Sequence, residues 1–203
     1  MSSTEKSIKR YNRIAKYFDS MEKPMGTSGF DQWRKELVQQ ATGKTLEVGV
    51  GTGKNLQYYA KDVDLTAIDF SKNMLDKARA KYNGDLLKLN FLEMDVQNMD
   101  FDDNSFDTVV TSCVFCSVPD PVKGLQEIKR VMKPGGQFIM LEHVRSSNRV
   151  LGLFMDLFNF IPLNIVGNNI NRRTAENLKK AGFTNTKETN LWMDIVKFFH
   201  VKN

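Results

Sequence analysis

KTLEVGVGTG, residues 44–53, is the stretch that decides the fold of this chain. Residues 45–50 are mostly apolar or β-branched, which is typical of a buried strand in a parallel sheet. Glycines occupy the alternate positions Gly49, Gly51 and Gly53, and a helix-like run begins at Lys54. A strand that turns through glycines into a helix creates a ligand site at the carboxyl end of a sheet, because glycine lets the backbone approach where a Cβ atom would block it.

The spacing of the glycines and two carboxylates narrow the class of ligand. The pattern is G-x-G-x-G, whereas a dinucleotide fingerprint needs a third glycine at position 54, which is Lys. Glu47, inside the strand, is a poor neighbour for a pyrophosphate and a good partner for an ammonium group. Asp69 ends the next apolar run, DLTAIDF, where an acid that binds both hydroxyls of a ribose is expected. The site therefore favours a ligand with a ribose and a cationic group but no phosphate.

S-adenosylmethionine has both groups, and the pattern resembles the class I S-adenosylmethionine-dependent methyltransferases, whose first motif is E/D-x-G-x-G-x-G. Glu47, Gly49, Gly51 and Gly53 match that motif position for position. The resemblance implies S-adenosylmethionine as cofactor, bound by these four residues and Asp69. It also implies a doubly wound, Rossmann-like α/β domain with a seven-stranded, mostly parallel sheet and an antiparallel last strand. A helix over 53–61 is expected to aim its free N–H groups at the cofactor carboxylate.

Further cofactor contacts are expected at the ends of the next strands. Ser71 is expected to cap a helix over 72–82, and Phe70 and Met74 lie where the adenine is expected, with plain core packing as the alternative for both. The resemblance implies that Asp95, at the end of the third strand, accepts a hydrogen bond from the adenine amino group. It implies likewise that the N–H of Val96 meets a ring nitrogen.

The fourth strand lies within DDNSFDTVVTSCVFCSV, residues 102–118, and its carboxyl end should face the transferable methyl group. Ser112 and Cys113 are therefore candidate cofactor contacts. Cys113 and Cys116 form a lone C-x-x-C, and no second ligand pair accompanies them, so no metal site is predicted. A redox pair belongs at a helix N-terminus. We interpret both cysteines as small residues of a pocket wall, with a thiol near the acceptor as the alternative.

One candidate for catalysis follows the fifth strand. A helix after Asp120 and Pro121 leads through the turn KPGG into QFIMLEHV, which ends with Glu142 and His143 at the ligand edge. His143 is a candidate general base for an acceptor that arrives protonated. The alternative is a histidine that binds or orients the acceptor without proton transfer.

Residues 4–22 have apolar side chains at helical spacing and lysines and arginines on the other side, which predicts one amphipathic helix. YNRIAKYFD, within this segment, resembles Y-D-x-x-A-x-x-Y-D of the ubiquinone/menaquinone-type methyltransferases, with Asn12 in place of the usual acid. Because that family closes this segment over the cofactor, Tyr11 and Tyr17 are candidates for the wall near the sulfonium, where an aromatic face stabilises a cation. We interpret the basic side as solvated, with contact to a membrane surface as the alternative.

The segment 148–168 contains VLGLFMDLFNFIPLNIVG, whose polar residues and proline argue against a transmembrane span. It predicts an apolar lid that selects an apolar acceptor or touches a membrane surface, with helices packed on the core as the alternative. With the L-E-H-V run and the motifs N-x-N-R-R-T and N-L-K-K-A-G-F, it resembles bacterial phospholipid N-methyltransferases and animal alkyl-thiol methyltransferases. A last helix that ends at Gly182 and a hairpin over 184–191 and 193–200 should complete the chain.

The 203 residues predict a single domain, 1–203. We divide it into a helical lid, a cofactor-binding core, an apolar acceptor-site insert, and a final helix with its hairpin: 1–42, 43–147, 148–170 and 171–203. The first ten residues have no apolar core, so no signal peptide is expected, and two cysteines suit a reducing compartment. We expect a cytoplasmic protein, either free or peripheral to a membrane. The net charge of +5 permits attraction to anionic lipid or nucleic acid without establishing either.

These features together predict a methyltransferase for a small, apolar or lipid-like acceptor, such as a phospholipid amine, a quinol or a thiol. In-line transfer needs proximity and orientation, and neither a metal nor a covalent intermediate is required. Two alternatives are a cofactor-sensing module that has lost turnover and an NAD-dependent oxidoreductase. A nucleic-acid acceptor is not expected, because no basic-aromatic stripe or N-P-P-Y-like motif follows the fourth strand. The acceptor atom and the oligomeric state stay open.

Overall fold

The structure is a computed structural model that describes residues 2–25, 29–84, 86 and 88–203. The strands of the described residues are β1 Lys44–Val48, β2 Asp64–Asp69, β3 Lys88–Glu93, β4 Phe106–Ser112, β5 Met132–His143, β6 Thr186–Trp192 and β7 Val196–Lys202. The α-helices are α1 Ser3–Ile14, α2 Phe18–Met25, α3 Asp31–Val38, α4 Lys72–Lys81, α5 Pro121–Val131, α6 Arg149–Phe158, α7 Phe160–Ile165 and α8 Thr174–Lys180.

The strands of the described residues form one sheet in the order β3-β2-β1-β4-β5-β7-β6. β7 runs antiparallel to both of its neighbours, and the other pairs are parallel. The predicted α/β fold with an antiparallel last strand is therefore confirmed. The chain moves outward from β1 to β3 and then returns to place β4 on the other side of β1. This reversal leaves a crevice at the carboxyl ends of β1 and β4, where ligands bind in open α/β sheets.

Helices cover both faces of the sheet. Val109 and Val110 are consecutive in β4 and fully buried, and they belong to two different apolar clusters, because successive side chains of a strand point to opposite faces. The cluster around Val110 includes residues of α3 and α4, and the cluster around Val109 includes residues of α5 and α8. The central strands therefore consist of apolar runs that are buried on both sides.

The predicted N-terminal helix over 4–22 is wrong, because the structure has two helices. α1 ends at Ile14, and a turn at residues 15–17 leads into α2. The turn brings Asp19 to the hydroxyl of Thr52, at 2.6 Å, and into an ion pair with Lys81. These contacts with the glycine turn and with α4 favour a change of chain direction over a continuous helix. KPMGTSG, residues 23–29, is a sequence typical of a turn or loop; its first part belongs to α2, and residues 26–28 lie outside the described residues.

The predicted helix over 53–61 is also wrong. The structure has a single 3₁₀ turn at Leu56–Tyr58, and Tyr59 is already extended. Asn55 directs its side-chain amide to Glu47, at 2.8 Å, which holds this segment against β1. The expected row of helix N–H groups is therefore absent from this segment.

The remaining element predictions differ from the structure mainly at their ends. The sequence of residues 30–42 predicts a helix, and α3 is shorter than that range. Ser71 caps α4 by accepting the N–H of Met74, as predicted. β5 begins earlier than predicted, because Met132 pairs with Phe106 before residues 133–136 bulge out of the strand. Within the described ranges, no helix is both long enough and apolar enough to cross a bilayer.

Candidate functional site

A cavity of about 330 Å³ lies at the carboxyl ends of β1, β2, β4 and β5. Its floor is the glycine turn after β1, and its roof is formed by α1, α2 and the segment that follows α7. The sequence-predicted residues that line it are Tyr11, Gly49, Gly51, Asp69, Phe70, Met74, Ser112, Cys113 and His143. Glu47, Gly53 and Tyr17 are not among its lining residues, and Asp95 and Val96 line a smaller pocket beside it.

The glycines of the β1 turn serve two different purposes. Gly49 and Gly51 both have positive φ, at 69° and 55°. A Cβ atom on Gly49 would lie 2.6 Å from Cγ2 of Val114, so this glycine permits the close approach of the loop after β4. A Cβ atom on Gly51 would meet nothing within 4 Å and would occupy open space beside the cavity. Gly53 instead packs against Ala78 of α4, behind the cavity.

Asp69 connects the glycine turn to the end of β2. Its carboxylate accepts the N–H of Gly51 at 2.9 Å and the N–H of Ser71 at 2.8 Å. Burial raises its pKa to about 6, although both hydrogen bonds act in the opposite direction. A carboxylate oxygen accepts more than one hydrogen bond. Asp69 can therefore accept hydrogen bonds from a ligand hydroxyl as well as hold the turn in place.

Glu47 lies one layer behind the cavity wall. Its side chain is fully buried, Oε1 accepts the amide of Asn55, and the hydroxyl of Tyr59 interacts with the same carboxylate. Burial raises its pKa to about 7, and the hydrogen bonds from Asn55 and Tyr59 and the nearby charge of Arg34 lower it. Asn55 and Arg34 do line the cavity. Glu47 therefore lies behind Asn55 and Arg34, and these two residues separate its carboxylate from the cavity.

Aromatic side chains form the wall opposite the glycine turn. Tyr11 meets Phe70 edge to face, with ring centroids 5.3 Å apart, and lies 6.2 Å from Phe18. Met74 is fully buried beneath them. Tyr17 is 60% exposed, and its ring lies 5.5 Å from the ammonium of Lys16. Of the two tyrosines that the sequence nominates for the wall, the structure places only Tyr11 there.

Asp95 and Val96 border an adjoining pocket of about 20 Å³. This pocket shares Gly49, Asp69 and Phe70 with the main cavity. The carboxylate of Asp95 accepts the backbone N–H of Gln97 at 2.9 Å and is also bonded by that residue's side-chain amide. The two residues are therefore close to the main cavity, on the side beyond Phe70.

The loop of residues 113–118 after β4 is held by two side chains, the buried Glu142 and the partly buried Arg172. Oε1 of Glu142 accepts the N–H groups of Val114 and Phe115, at 3.0 and 3.2 Å. The guanidinium of Arg172 donates to the carbonyls of Phe115 and Val118, at 3.0 and 2.6 Å. Burial raises the pKa of Glu142 to about 7. Glu142 thus binds N–H groups of the loop, and Arg172 binds its carbonyl groups. These contacts fix one wall of the cavity.

Cys113 and Cys116 lie in the wall that this loop forms. Cys113 has a positive φ of 55°, and Cys116 is buried. Burial raises the pKa of the Cys116 thiol to about 12, so this thiol is protonated near neutral pH. No group of three or more His, Cys, Asp or Glu side chains is arranged to hold a metal ion in the described parts of the chain.

His143 ends β5 and lines the cavity. Burial lowers the pKa of its imidazole below the usual 6.5. The ring is therefore neutral near pH 7 and has a nitrogen that can accept a proton. Its position at the strand end agrees with the general base that the sequence suggests, and its role stays a prediction.

The cavity lining also includes residues that the sequence did not single out. These are Ile14, Phe18, Met21, Arg34, Val50, Thr52, Lys54 and Asn55. Phe18 stands at an aromatic position of the YNRIAKYFD motif and could have been included on that basis. Residues 166–170 belong to the predicted acceptor-site insert 148–170, and the hydrogen bond from Tyr11 to Asn168 joins this segment to α1 over the cavity.

Comparison with known proteins places this geometry in a class. The sequence profile described as Methyltransferase domain matches residues 46–140. A phosphatidylethanolamine N-methyltransferase of Cereibacter sphaeroides is 41% identical over 108 residues, which cover 52% of this chain and 53% of that protein. The ubiquinone/menaquinone biosynthesis C-methyltransferase UbiE of Bdellovibrio bacteriovorus is 32% identical over 163 residues, which cover 77% of this chain and 68% of that protein. The chain thus spans between about half and two thirds of the length of these relatives.

Solved structures agree on the fold. The crystal structure of a possible histamine N-methyltransferase from Thermotoga maritima has a TM-score of 0.69 at 18% identity, and the match covers 93% of this chain and 97% of that one. The chain belongs to the class I S-adenosylmethionine-dependent methyltransferases. This membership decides against the NAD-dependent oxidoreductase alternative.

The residues of the cavity fit S-adenosylmethionine, the cofactor of this class. Asp69 has capacity for ribose hydroxyls, and open space beside Gly51 admits a ligand against the backbone. Glu47 is a buried carboxylate next to Asn55 of the cavity lining, and a carboxylate there favours a nearby cationic group. When bound, the cofactor supplies an electrophilic methyl group on a sulfonium.

Proposed function

We propose that this chain is an active methyltransferase that uses S-adenosylmethionine to methylate a small, apolar or lipid-like acceptor. The observation that carries the proposal is the mixed lining of the cavity. Asp69 and Asn55 supply polar groups, whereas Phe18, Met21 and Val166 supply apolar surface. The polar groups suit the cofactor, and the apolar side chains suit an acceptor of low polarity.

The chain's own residues supply position and exclude water. Tyr11 and Phe18 cover the cavity from α1 and α2, and the clamped loop after β4 forms the facing wall. Holding an acceptor in line with an electrophile supplies much of the rate enhancement in such reactions. His143 lines the cavity, and its neutral ring suits removal of a proton from an amine, thiol or phenol acceptor.

The relatives support an acceptor of this kind. The two described above carry names that refer to a phospholipid amine and to quinone biosynthesis. Both names refer to lipid-like molecules, although the atoms that receive the methyl group differ. We therefore propose the shared property, an apolar body, as what the cavity selects.

The test uses S-adenosylmethionine labelled on its methyl group, incubated with the protein and a total lipid extract. Label should enter the organic phase. Asp69→Ala should abolish the transfer through loss of cofactor binding. Asp76→Ala, the same change at an exposed residue of α4, should leave the transfer unchanged. Label in the aqueous or macromolecular phase would overturn the apolar acceptor. Tight cofactor binding without transfer to any phase would favour the sensing module instead.

A second measurement addresses His143. His143→Gln keeps a polar side chain of similar size but cannot take up a proton near neutral pH. A general base predicts about a hundredfold loss of kcat, within the usual range for such groups, with little change in cofactor affinity. Unchanged kcat would leave His143 as a binding residue.

A further inference from the structure

α6 presents its apolar side to solvent. Val150, Leu153, Phe154 and Leu157 follow helical spacing i, i+3, i+4, i+7, and their exposed fractions run from 57% to 81%. A surface helix of a globular protein normally turns such a stripe toward the core. Packing within the chain therefore does not account for the apolar stripe on α6.

The side of α6 that faces the protein is held by a polar contact. The guanidinium of Arg145 binds both carboxylate oxygens of Asp156, with Nη2 to Oδ2 at 2.9 Å. A Cβ atom on Gly152 would lie 2.5 Å from the Arg145 guanidinium, so this glycine lets the helix approach closely. Met155 is buried on the same side. The ion pair and the close approach fix the orientation of α6, and its apolar stripe is therefore held outward.

α7 continues the apolar surface toward the cavity. Phe160, Ile161 and Ile165 are exposed on this short helix, and Val166, the next residue, lines the cavity. We call the exposed apolar side chains of α6 and α7 the outer apolar face. Contiguous exposed apolar surface of this kind usually marks an interaction site. Because it ends at Val166, its partner would lie beside the roof of the cavity.

Cationic side chains flank this face at both ends. Arg149 is exposed at the first residue of α6. Arg10 of α1 lies next to Gly167, directly after α7, with its Cδ 3.5 Å from where a glycine Cβ would be. Arg13 and Lys16 of the same N-terminal segment are exposed. Asp156, the acid within α6, faces inward to Arg145. Asp194 borders the groove beside Val150 and Phe154, where it accepts hydrogen bonds from Ser146 and Ser147. Arg149 and Arg10 are therefore the cations at the two ends of the outer apolar face.

We propose that the outer apolar face docks on an anionic lipid bilayer and lies in its interface. Apolar side chains that enter the acyl region, together with flanking arginines that meet anionic headgroups, are the two attractions that hold interfacial helices on membranes. An apolar acceptor would then pass from the bilayer along α7 to Val166 and into the cavity. That route rests on the proposed function, whereas the docking itself does not.

The charge pattern favours a bilayer over a second copy of this chain. Each copy carries a net charge of +5. A symmetric dimer through this face would bring two sets of flanking arginines toward each other, which is unfavourable for like charges. An anionic surface complements the same arginines.

The test is co-sedimentation with phosphatidylcholine vesicles that either contain or lack phosphatidylglycerol. Wild type should bind the anionic vesicles and be released by high salt. Leu153→Ser with Leu157→Ser should lower the partition coefficient by at least about tenfold, because two leucines no longer leave water. The control is Leu92→Ser, a similar change at a residue 38% exposed on β3 at the sheet edge, which should leave binding within about twofold.

Arg149→Glu provides a second variant that leaves every apolar contact in place. It should weaken binding to anionic vesicles and leave the weak binding to neutral vesicles unchanged. Equal binding by wild type and the double serine variant would overturn the docking. Sedimentation velocity that shows a wild-type dimer, dissolved by the serine changes, would overturn it in favour of a second copy.

The two proposals fail in different ways. Vesicle binding without methyl transfer to any extracted acceptor would sustain the docking and overturn the proposed function. Methyl transfer to an acceptor dispersed in detergent, without vesicle binding, would sustain the function and overturn the docking.

Discussion

The phenol of Tyr11 donates a hydrogen bond of 2.6 Å to Oδ1 of Asn168, and this contact joins α1 to the segment after α7. Both residues line the cavity. Burial raises the pKa of Tyr11 far above its usual value, so the phenol keeps its proton at any ordinary pH. The roof of the cavity therefore has a direct link between its two halves, which the sequence separates by most of the chain.

Removing this link should loosen the roof. Tyr11→Phe keeps the ring beside Phe70 but loses the donor, and we expect S-adenosylmethionine affinity to fall about threefold to tenfold, the value of one hydrogen bond. Titration calorimetry measures the affinity, and hydrogen exchange of α1 should become faster. Tyr17→Phe is the matched control at an exposed tyrosine. Equal effects of the two changes would contradict the link.

The carboxylate of Asp69 should be essential for cofactor binding. Asp69→Asn keeps the shape but loses the charge that strengthens hydrogen bonds from ribose hydroxyls, and we expect affinity to fall about tenfold to a hundredfold. Asp76→Asn makes the same change at an exposed position of α4 and should have no effect. Unchanged affinity of the Asp69 variant in calorimetry would refute its ribose role.

Cofactor binding should strengthen as pH rises from about 5 to about 8. Burial raises the pKa of Glu47 to about 7 and that of Asp69 to about 6, and a cationic ligand favours their ionised forms. Binding should therefore release protons near pH 6, which calorimetry detects in buffers of different ionisation enthalpy. Glu47→Gln should remove the upper part of this dependence. An affinity that is constant over the range would contradict the assignment.

The same pKa shift makes a prediction about stability. The folded pKa of Glu47 lies above its ordinary value of 4.5, so between about pH 4.5 and 7 the folded state binds more protons than the unfolded state. This group therefore lowers the free energy of unfolding as pH rises through that window. Glu47→Gln should gain stability relative to wild type between about pH 5 and 8 in urea unfolding. Glu36→Gln, at an exposed residue of α3, should show no such trend.

Gly51 should matter for the ligand as well as for the backbone. Gly51→Ala places a methyl group in open space beside the cavity, at a positive φ of 55°. Gly135→Ala also places a methyl group in open space at a positive φ, of 76°, but in the exposed KPGG segment away from the cavity. Both changes should cost about 1–2 kcal/mol of stability, the strain of an L-residue in this region. Only Gly51→Ala should also weaken cofactor binding. Equal affinities of the two variants would show that the ligand does not approach Gly51.

Glu142 should be needed to hold the loop after β4. Glu142→Ala leaves the N–H groups of Val114 and Phe115 without their acceptor, and we expect the free energy of unfolding to fall by about 2–4 kcal/mol. Glu142→Gln keeps an acceptor and should cost less. Glu188→Ala removes the ion-pair partner of Lys197, a side chain that is 38% exposed, and should cost under about 1 kcal/mol. A Glu142→Ala variant as stable as wild type would show that the clamp contributes nothing.

Local patterns predicted the framework of the site well. The glycine turn after β1 and the acid at the end of β2 are local features. Each depends on residues that are close together in the sequence. For this reason Gly49, Gly51 and Asp69 meet at one edge of the sheet, as predicted. Glu47 shows the limit of that reasoning, because the strand direction does not reveal that Asn55 stands between its carboxylate and the cavity.

The sequence by itself determined the class of fold, the edge of the sheet that carries the site and the nature of the cofactor, because strand periodicity, turn glycines and strand-end acids act over a few residues. Only the tertiary structure decided how the two segments of the roof meet and which way the apolar side of α6 faces. The apolar spacing of residues 11–18 continues through the break between α1 and α2, so the break follows from the distant contacts of Asp19 with Thr52 and Lys81. Likewise, periodicity shows that α6 has an apolar side, but the ion pair of Arg145 with Asp156 decides that this side points outward. Such contacts join residues that are far apart in the sequence and close together in the fold. No local sequence pattern encodes them.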